Sequence, residues 1–111
     1  MDRLARRMER VMTGEQYASG NWHVNAGSED EFIARWQAFI TESAKTAQGF
    51  GSARLLRDAD DPRHFLSLSD WADAASRDAW KASPEFERGL TSCRELCDEF
   101  VGADYAQAAS L

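Results

Sequence analysis

The stretch from Arg63 to Phe100, RHFLSLSDWADAASRDAWKASPEFERGLTSCRELCDEF, constrains the fold more than any other part of the chain. Its first residues, His64 to Asp70, alternate in character and predict a pleated strand with two unlike faces. A short helix is predicted from about Ala72 to Ala82, with Trp71, Ala75 and Trp80 near one side. Ser83-Pro84 closes it and opens the next helix. Serine is a good N-cap, and proline at the first helical position loses no N–H that the helix needs. Phe86, Leu90, Cys93 and Cys97 follow at spacings of four, three and four, which predicts a single apolar stripe reaching Cys97. A strand running straight into two helices needs both a sheet to join and a layer to pack upon.

The rest of the chain supplies both. Tyr17 to Asn25 puts Ala18, Gly20, Trp22 and Val24 on one face and Tyr17, Ser19, Asn21 and His23 on the other. Ala26-Gly27 breaks this strand, and Ser28-x-x-Glu31 predicts a capping box. The helix that follows, to about Lys45, lines up Phe32, Trp36, Phe39, Ile40 and Ser43 before Gln48-Gly49 ends it. Phe50 to Arg57 and the His64 strand flank the acidic turn DADDP and predict a hairpin. Val101 to Ala109, with Tyr105, reads as a last strand. Residues 2–12 predict a short amphipathic helix with a basic face, so the boundaries are an extension over 1–14 and one domain over 15–111. The order β-α-β-β-α(α)-β is the ferredoxin-like split β-α-β pattern of the α+β class, an antiparallel sheet with helices on one face. Leu66 and Leu68 then fall on the other face, and a second subunit is the expected cover.

Composition narrows the function classes. A net charge of −6 and a pI near 4.8 argue against nucleic acid, which needs clustered Lys and Arg. No apolar run approaches the roughly 20 residues of a membrane span, and no signal-peptide core is present, so neither a membrane nor export is expected. Cys93 and Cys97 stand four apart without further Cys or His, which is not a zinc pattern. They read as reduced core thiols, with a cytoplasmic location and no metal.

Three segments carry a family resemblance: AGSEDEFIARW in the first helix, QGFGSARLLRDADDPRHFLSLSDW across the hairpin, and AWKASPEFERGL with CRELCDEF in the closing helices. Over roughly Tyr17 to Ala108 the chain resembles the antibiotic biosynthesis monooxygenase domain of the dimeric α/β-barrel superfamily. The resemblance implies two sheets closing into a barrel across a homodimer, with a pocket in each subunit between sheet and helices. It also spans several chemistries: cofactor-free monooxygenases, haem-degrading enzymes, isomerases and proteins with no known reaction. Trp71 matches a tryptophan that cofactor-free quinone-forming members keep beside their substrate. Their asparagine, four residues earlier, is here Ser67. Trp80 matches the pocket tryptophan of the haem-degrading branch, but that branch's iron-ligating histidine and its asparagine are here Leu90 and Gly20. Leucine cannot ligate iron, so haem degradation is not expected.

The candidate residues follow. Trp22, Trp71, Trp80 and Phe86 are expected to wall a pocket for a flat ring system, with Tyr105 offering a hydroxyl. The alternative left open is that the tryptophans merely fill the core, as Trp36 is expected to do. Trp71, Ser67, His23 and Asn21 are the catalytic candidates; a histidine near neutral pH suits removal of a phenolic proton. His23 and Asn21 equally suit a place inside the barrel. The expected function is cofactor-independent oxidation of an aromatic polyketide-like, anthrone or quinol substrate by O2. The alternative is a non-catalytic small-molecule-binding or stress-associated dimer.

Overall fold

Alternation along the first strand, β1 (Gln16–Val24), sets the architecture. Ala18, Gly20, Trp22 and Val24 are buried, while the residues between them are not. The computed structural model describes residues 15–111, and the helix expected over residues 2–12 lies outside them. β1 pairs antiparallel with both β3 (His64–Trp71) and β4 (Cys97–Ala106), and β2 (Phe50–Arg57) pairs with β3, giving the order β2-β3-β1-β4. Helices α1 (Glu29–Thr46), α2 (Ala74–Lys81) and α3 (Pro84–Arg94) cover one face. The fold is the expected ferredoxin-like α+β arrangement. The core lies between that face and the helices, where the Phe32 ring sits 5.3 Å from Trp22 and 5.1 Å from Phe65. Among the described residues, no helix is long and apolar enough to cross a membrane.

The helix starts show which local signals acted. Ser83 caps α3 as its sequence predicts, its Oγ accepting from the Phe86 N–H at 3.1 Å. Asp73 caps α2, accepting from the Ser76 N–H at 2.7 Å, so this helix begins at Ala74 rather than Ala72. The capping box of α1 does not form. The Ser28 side chain makes no cap bond, and its backbone (φ −102°, ψ 8°) is not the extended form a serine cap needs. Glu31 instead meets Arg35 one turn on, at 2.9 Å, and Arg35 reaches across to Glu95 on the loop after α3.

α3 also ends earlier than its apolar stripe predicts. It stops at Arg94, and Cys97 opens β4 beside Val24. The Asn25 N–H donates to the Leu96 carbonyl at 2.8 Å, which draws the chain into the sheet before another helical turn can form. Cys97 keeps contact with its expected neighbour, donating its thiol to the Cys93 carbonyl at 3.4 Å. A half-buried residue at the head of a strand therefore continued a helical period without being helical. α3 rests closely on α1: a Cβ at Gly89 would lie 2.0 Å from Cδ1 of Phe39, so only glycine fits there.

Candidate active site

Between the sheet and the helices lies a cavity of about 200 Å³. Its walls are aromatic because every helix turns at least one ring inward. α1 supplies Trp36 and Phe39, α2 supplies Trp80, and α3 supplies Phe86 and Leu90, while Trp22 and Phe100 close the sheet side. The rings brace one another at fixed angles. Trp80 meets Phe86 edge-on at 4.7 Å and lies nearly parallel to Phe39 at 5.8 Å, and Trp22 leans on Phe100 at 4.3 Å.

Ser19, Ser67 and Ser69 line the floor; Ser19 Oγ donates to the Ala103 carbonyl at 3.1 Å, and three serines of the covered side are tied to indoles. Trp22 Nε1 donates to Ser67 Oγ at 3.0 Å, Trp71 Nε1 to Ser69 Oγ at 2.9 Å, and Trp80 Nε1 to Ser43 Oγ at 2.8 Å. Buried indole N–H groups need acceptors, and a short hydroxyl one layer away provides one without filling the space a ring requires. Ser67 and Ser69 line the cavity; Ser43 lies behind it on α1. Lys81 is the one ionisable residue among the described residues that line the cavity, and its Nζ is held by Asp104 Oδ1 at 2.7 Å.

Of the residues expected at the site, Trp22, Ser67, Trp80 and Phe86 line the cavity together. Trp71 stands one layer back, its ring 4.7 Å from that of Trp80 and its N–H turned to Ser69. Asn21, His23 and Tyr105 are not brought there. Strand alternation puts them on the opposite face of the sheet from Gly20 and Trp22. His23 binds Asp98 through Nδ1 at 2.7 Å, and Asn21 meets Nε2 of His64 at 2.8 Å. Asp58, at the other ring nitrogen of His64, is held below its usual carboxylate range chiefly by that hydrogen bond.

The thiols supply no nucleophile. Desolvation pushes Cys93 up to about 12 and Cys97 to about 11, so both stay protonated at neutral pH. Among the described residues no group of three His, Cys, Asp or Glu side chains could hold a metal ion. Lys81, Ser69 and the facing glycines Gly20 and Gly102 are cavity residues that sequence reasoning missed. The glycines carried a signal: glycine inside a strand marks a place where something must come close to the backbone.

A model of the antibiotic biosynthesis monooxygenase family matches residues 17–91. The fold is similar to that of SnoaB, a cofactor-independent oxygenase from Streptomyces nogalater. The identity there is 21% and the TM-score 0.79, over 88% of this chain and 97% of that one. A conserved protein from Methanosarcina mazei Go1 is similar at 18% identity and TM-score 0.77, over 89% of this chain and 98% of that one. Among curated proteins, none matches by sequence.

Proposed function

Because this chain belongs to the antibiotic biosynthesis monooxygenase family, we propose that it is a cofactor-independent monooxygenase that oxidises an anthrone-, quinol- or polyketide-like aromatic with O2. The observation that carries the reading is the ring-walled cavity over the sheet, with the Ser67 hydroxyl beside Trp22. A flat aromatic fits between such walls, and an apolar slot that excludes water strengthens every polar contact made inside it. In the reaction an anthrone methylene loses a proton and the carbanion gives its electrons to O2. A C–O bond forms, and the resulting hydroperoxide breaks its O–O bond, leaving a carbonyl and one water. Trp22, Trp80 and Phe86 hold the rings, Trp71 fixes Trp80 from behind, and Ser67 faces the oxygen that gains charge.

A second reading has an observation of its own. Among the described residues no carboxylate or imidazole lines the cavity, and Lys81 is already paired with Asp104. A slot of that kind also suits a non-catalytic binding protein. Oxygen uptake separates the two. With anthrones and hydroquinones, uptake well above the enzyme-free rate, lowered by Trp80→Phe and indifferent to chelator, supports the oxygenase. No uptake across the panel, with ligand still quenching tryptophan fluorescence, overturns it in favour of binding.

The working unit in this reading is a homodimer in the cytoplasm. Leu56, Val101 and Tyr105 are each more than half exposed on the helix-free face, beside Leu66 and Leu68, and a second sheet laid there would cover them. Free Cys93 and Cys97 fit a reducing compartment.

A further inference from the structure

We infer that Ser67, Trp22 and Gly20 form an oxyanion subsite, a single hydroxyl donor that takes the ring oxygen of an ionised hydroxyaromatic. The inference rests on the reading of the cavity as an aromatic-substrate site and adds which ligand atom is recognised, and in which charge state.

The three serine–indole pairs differ in one respect. Ser43 Oγ accepts from Trp80 and donates to the Phe39 carbonyl at 2.9 Å. Ser69 Oγ accepts from Trp71 and donates to the Ala18 carbonyl at 3.4 Å. Both hydroxyls are closed. Ser67 Oγ accepts from Trp22 and, among the described residues, donates to nothing. A hydroxyl has one hydrogen to give. The indole N–H occupies a lone pair and, by drawing on the oxygen, makes that hydrogen the better donor. Ser67 is thereby set to give a hydrogen bond rather than to remove a proton.

The space in front of it is kept open by an omission. Gly20 is the cross-strand neighbour of Ser67. A Cβ there would lie 2.8 Å from Ser67 Oγ and 2.7 Å from Trp22 Nε1. Any side chain would fill the place beside the hydroxyl that a ligand oxygen needs. Gly102 faces Gly20 from β4, so neither strand raises a side chain of its own at this level. Among the described residues no carboxylate lines the cavity to repel a negative oxygen, so an uncommitted donor there favours the anion over the neutral ring.

The test uses the full chain and two stable probes of one shape, 4-nitro-1-naphthol (ionised at pH 8) and 1-nitronaphthalene, which lacks the oxygen. Binding is followed by tryptophan quenching. Wild type is expected to prefer the naphtholate by about tenfold. Ser67→Ala should bring that ratio to within about twofold by weakening the naphtholate alone, and Gly20→Ala should do the same. A ratio unchanged in Ser67→Ala overturns the subsite, and that variant decides the matter if Gly20→Ala does not fold. Equal binding of both probes by wild type overturns the subsite but leaves the aromatic cavity standing. Binding of neither overturns the cavity reading and the subsite with it.

Discussion

The two faces of the sheet come from the same alternating strands and end as opposites. On the helix side, Phe32, Phe65 and Val24 are almost wholly buried, and the indole N–H groups of Trp22, Trp71 and Trp80 each have a hydroxyl to meet. On the other side, His23 meets Asp98 and His64 meets Asp58 in solvent-facing polar pairs at one end, while Leu56, Val101 and Tyr105 stand uncovered. Exposed pairs of that kind contribute about 1 kcal/mol or less, whereas burying a large ring contributes several times more. A single subunit therefore draws its stability from one face. The other face is of the opposite kind, with apolar groups uncovered at its middle and polar pairs at its rim.

The largest effect should fall on the covered face. Phe32→Ala removes a fully buried ring that touches both Trp22 and Phe65, and should cost about 3–5 kcal/mol in urea unfolding. Leu56→Ala, half exposed on the other face, should cost under about 0.5 kcal/mol in a lone subunit. A loss of several kcal/mol at Leu56 would break the contrast by showing that this face is also buried in solution. Val101→Asp addresses the same point by mass. If two sheets face each other, a carboxylate at the middle of β4 should turn dimers into folded monomers in sedimentation, with the circular dichroism spectrum kept. An unchanged mass would leave the face free for another partner.

A smaller difference separates serines within the covered side. Ser43→Ala strands the Trp80 N–H in a fully buried place and should cost about 1–3 kcal/mol. Ser67→Ala, in the cavity wall, leaves Trp22 beside space that water can enter, so its cost should stay under about 1 kcal/mol. Equal costs would mean that the cavity wall is as dry and closed as the core behind it.

This contrast also marks what the sequence could disclose. Alternation in β1 and β3, the Ser83-Pro84 junction and the aspartates of the DADDP turn act through their nearest neighbours, and the order of elements along the chain follows from them. Burial by periodicity likewise placed Trp22, Trp80 and Phe86 on one side. Cys97 was misassigned because a helical stripe and the head of a strand predict the same apolar residue, and the tie between Asn25 and Leu96 that decides between them is invisible along the chain. Glu31 left its cap for Arg35, a choice made by a salt bridge that continues to Glu95, 64 positions away. At the site, His23 and Asn21 drew attention as reactive types, yet their parity in β1 already set them opposite Gly20 and Trp22. The glycines were the quieter clue, since what they contribute is room.

The smallest effects should appear at opposite ends of the pH scale, one for each side of the molecule. On the covered side, burial raises Cys93 from its ordinary 9.0 to about 12. The folded state keeps its proton while the unfolded chain loses it, so this contribution to stability is full below pH 9 and is lost as the pH rises towards 12. On the open side, the hydrogen bond from His64 lowers Asp58. Its contribution is present above the unfolded value of about 3.9 and is lost as the pH falls through the lower folded value. Asp73, lowered by the N–H it caps, adds to the same acid limb. Urea midpoints measured across pH should therefore show a flatter alkaline limb in Cys93→Ala and a slightly flatter acid limb in Asp58→Asn, each taken relative to its own value at pH 7. Should Asp58→Asn flatten the acid limb as strongly as Cys93→Ala flattens the alkaline one, the exposed rim would be contributing more than solvent-screened pairs can. That outcome would place Asp58 and His64 under a covering subunit.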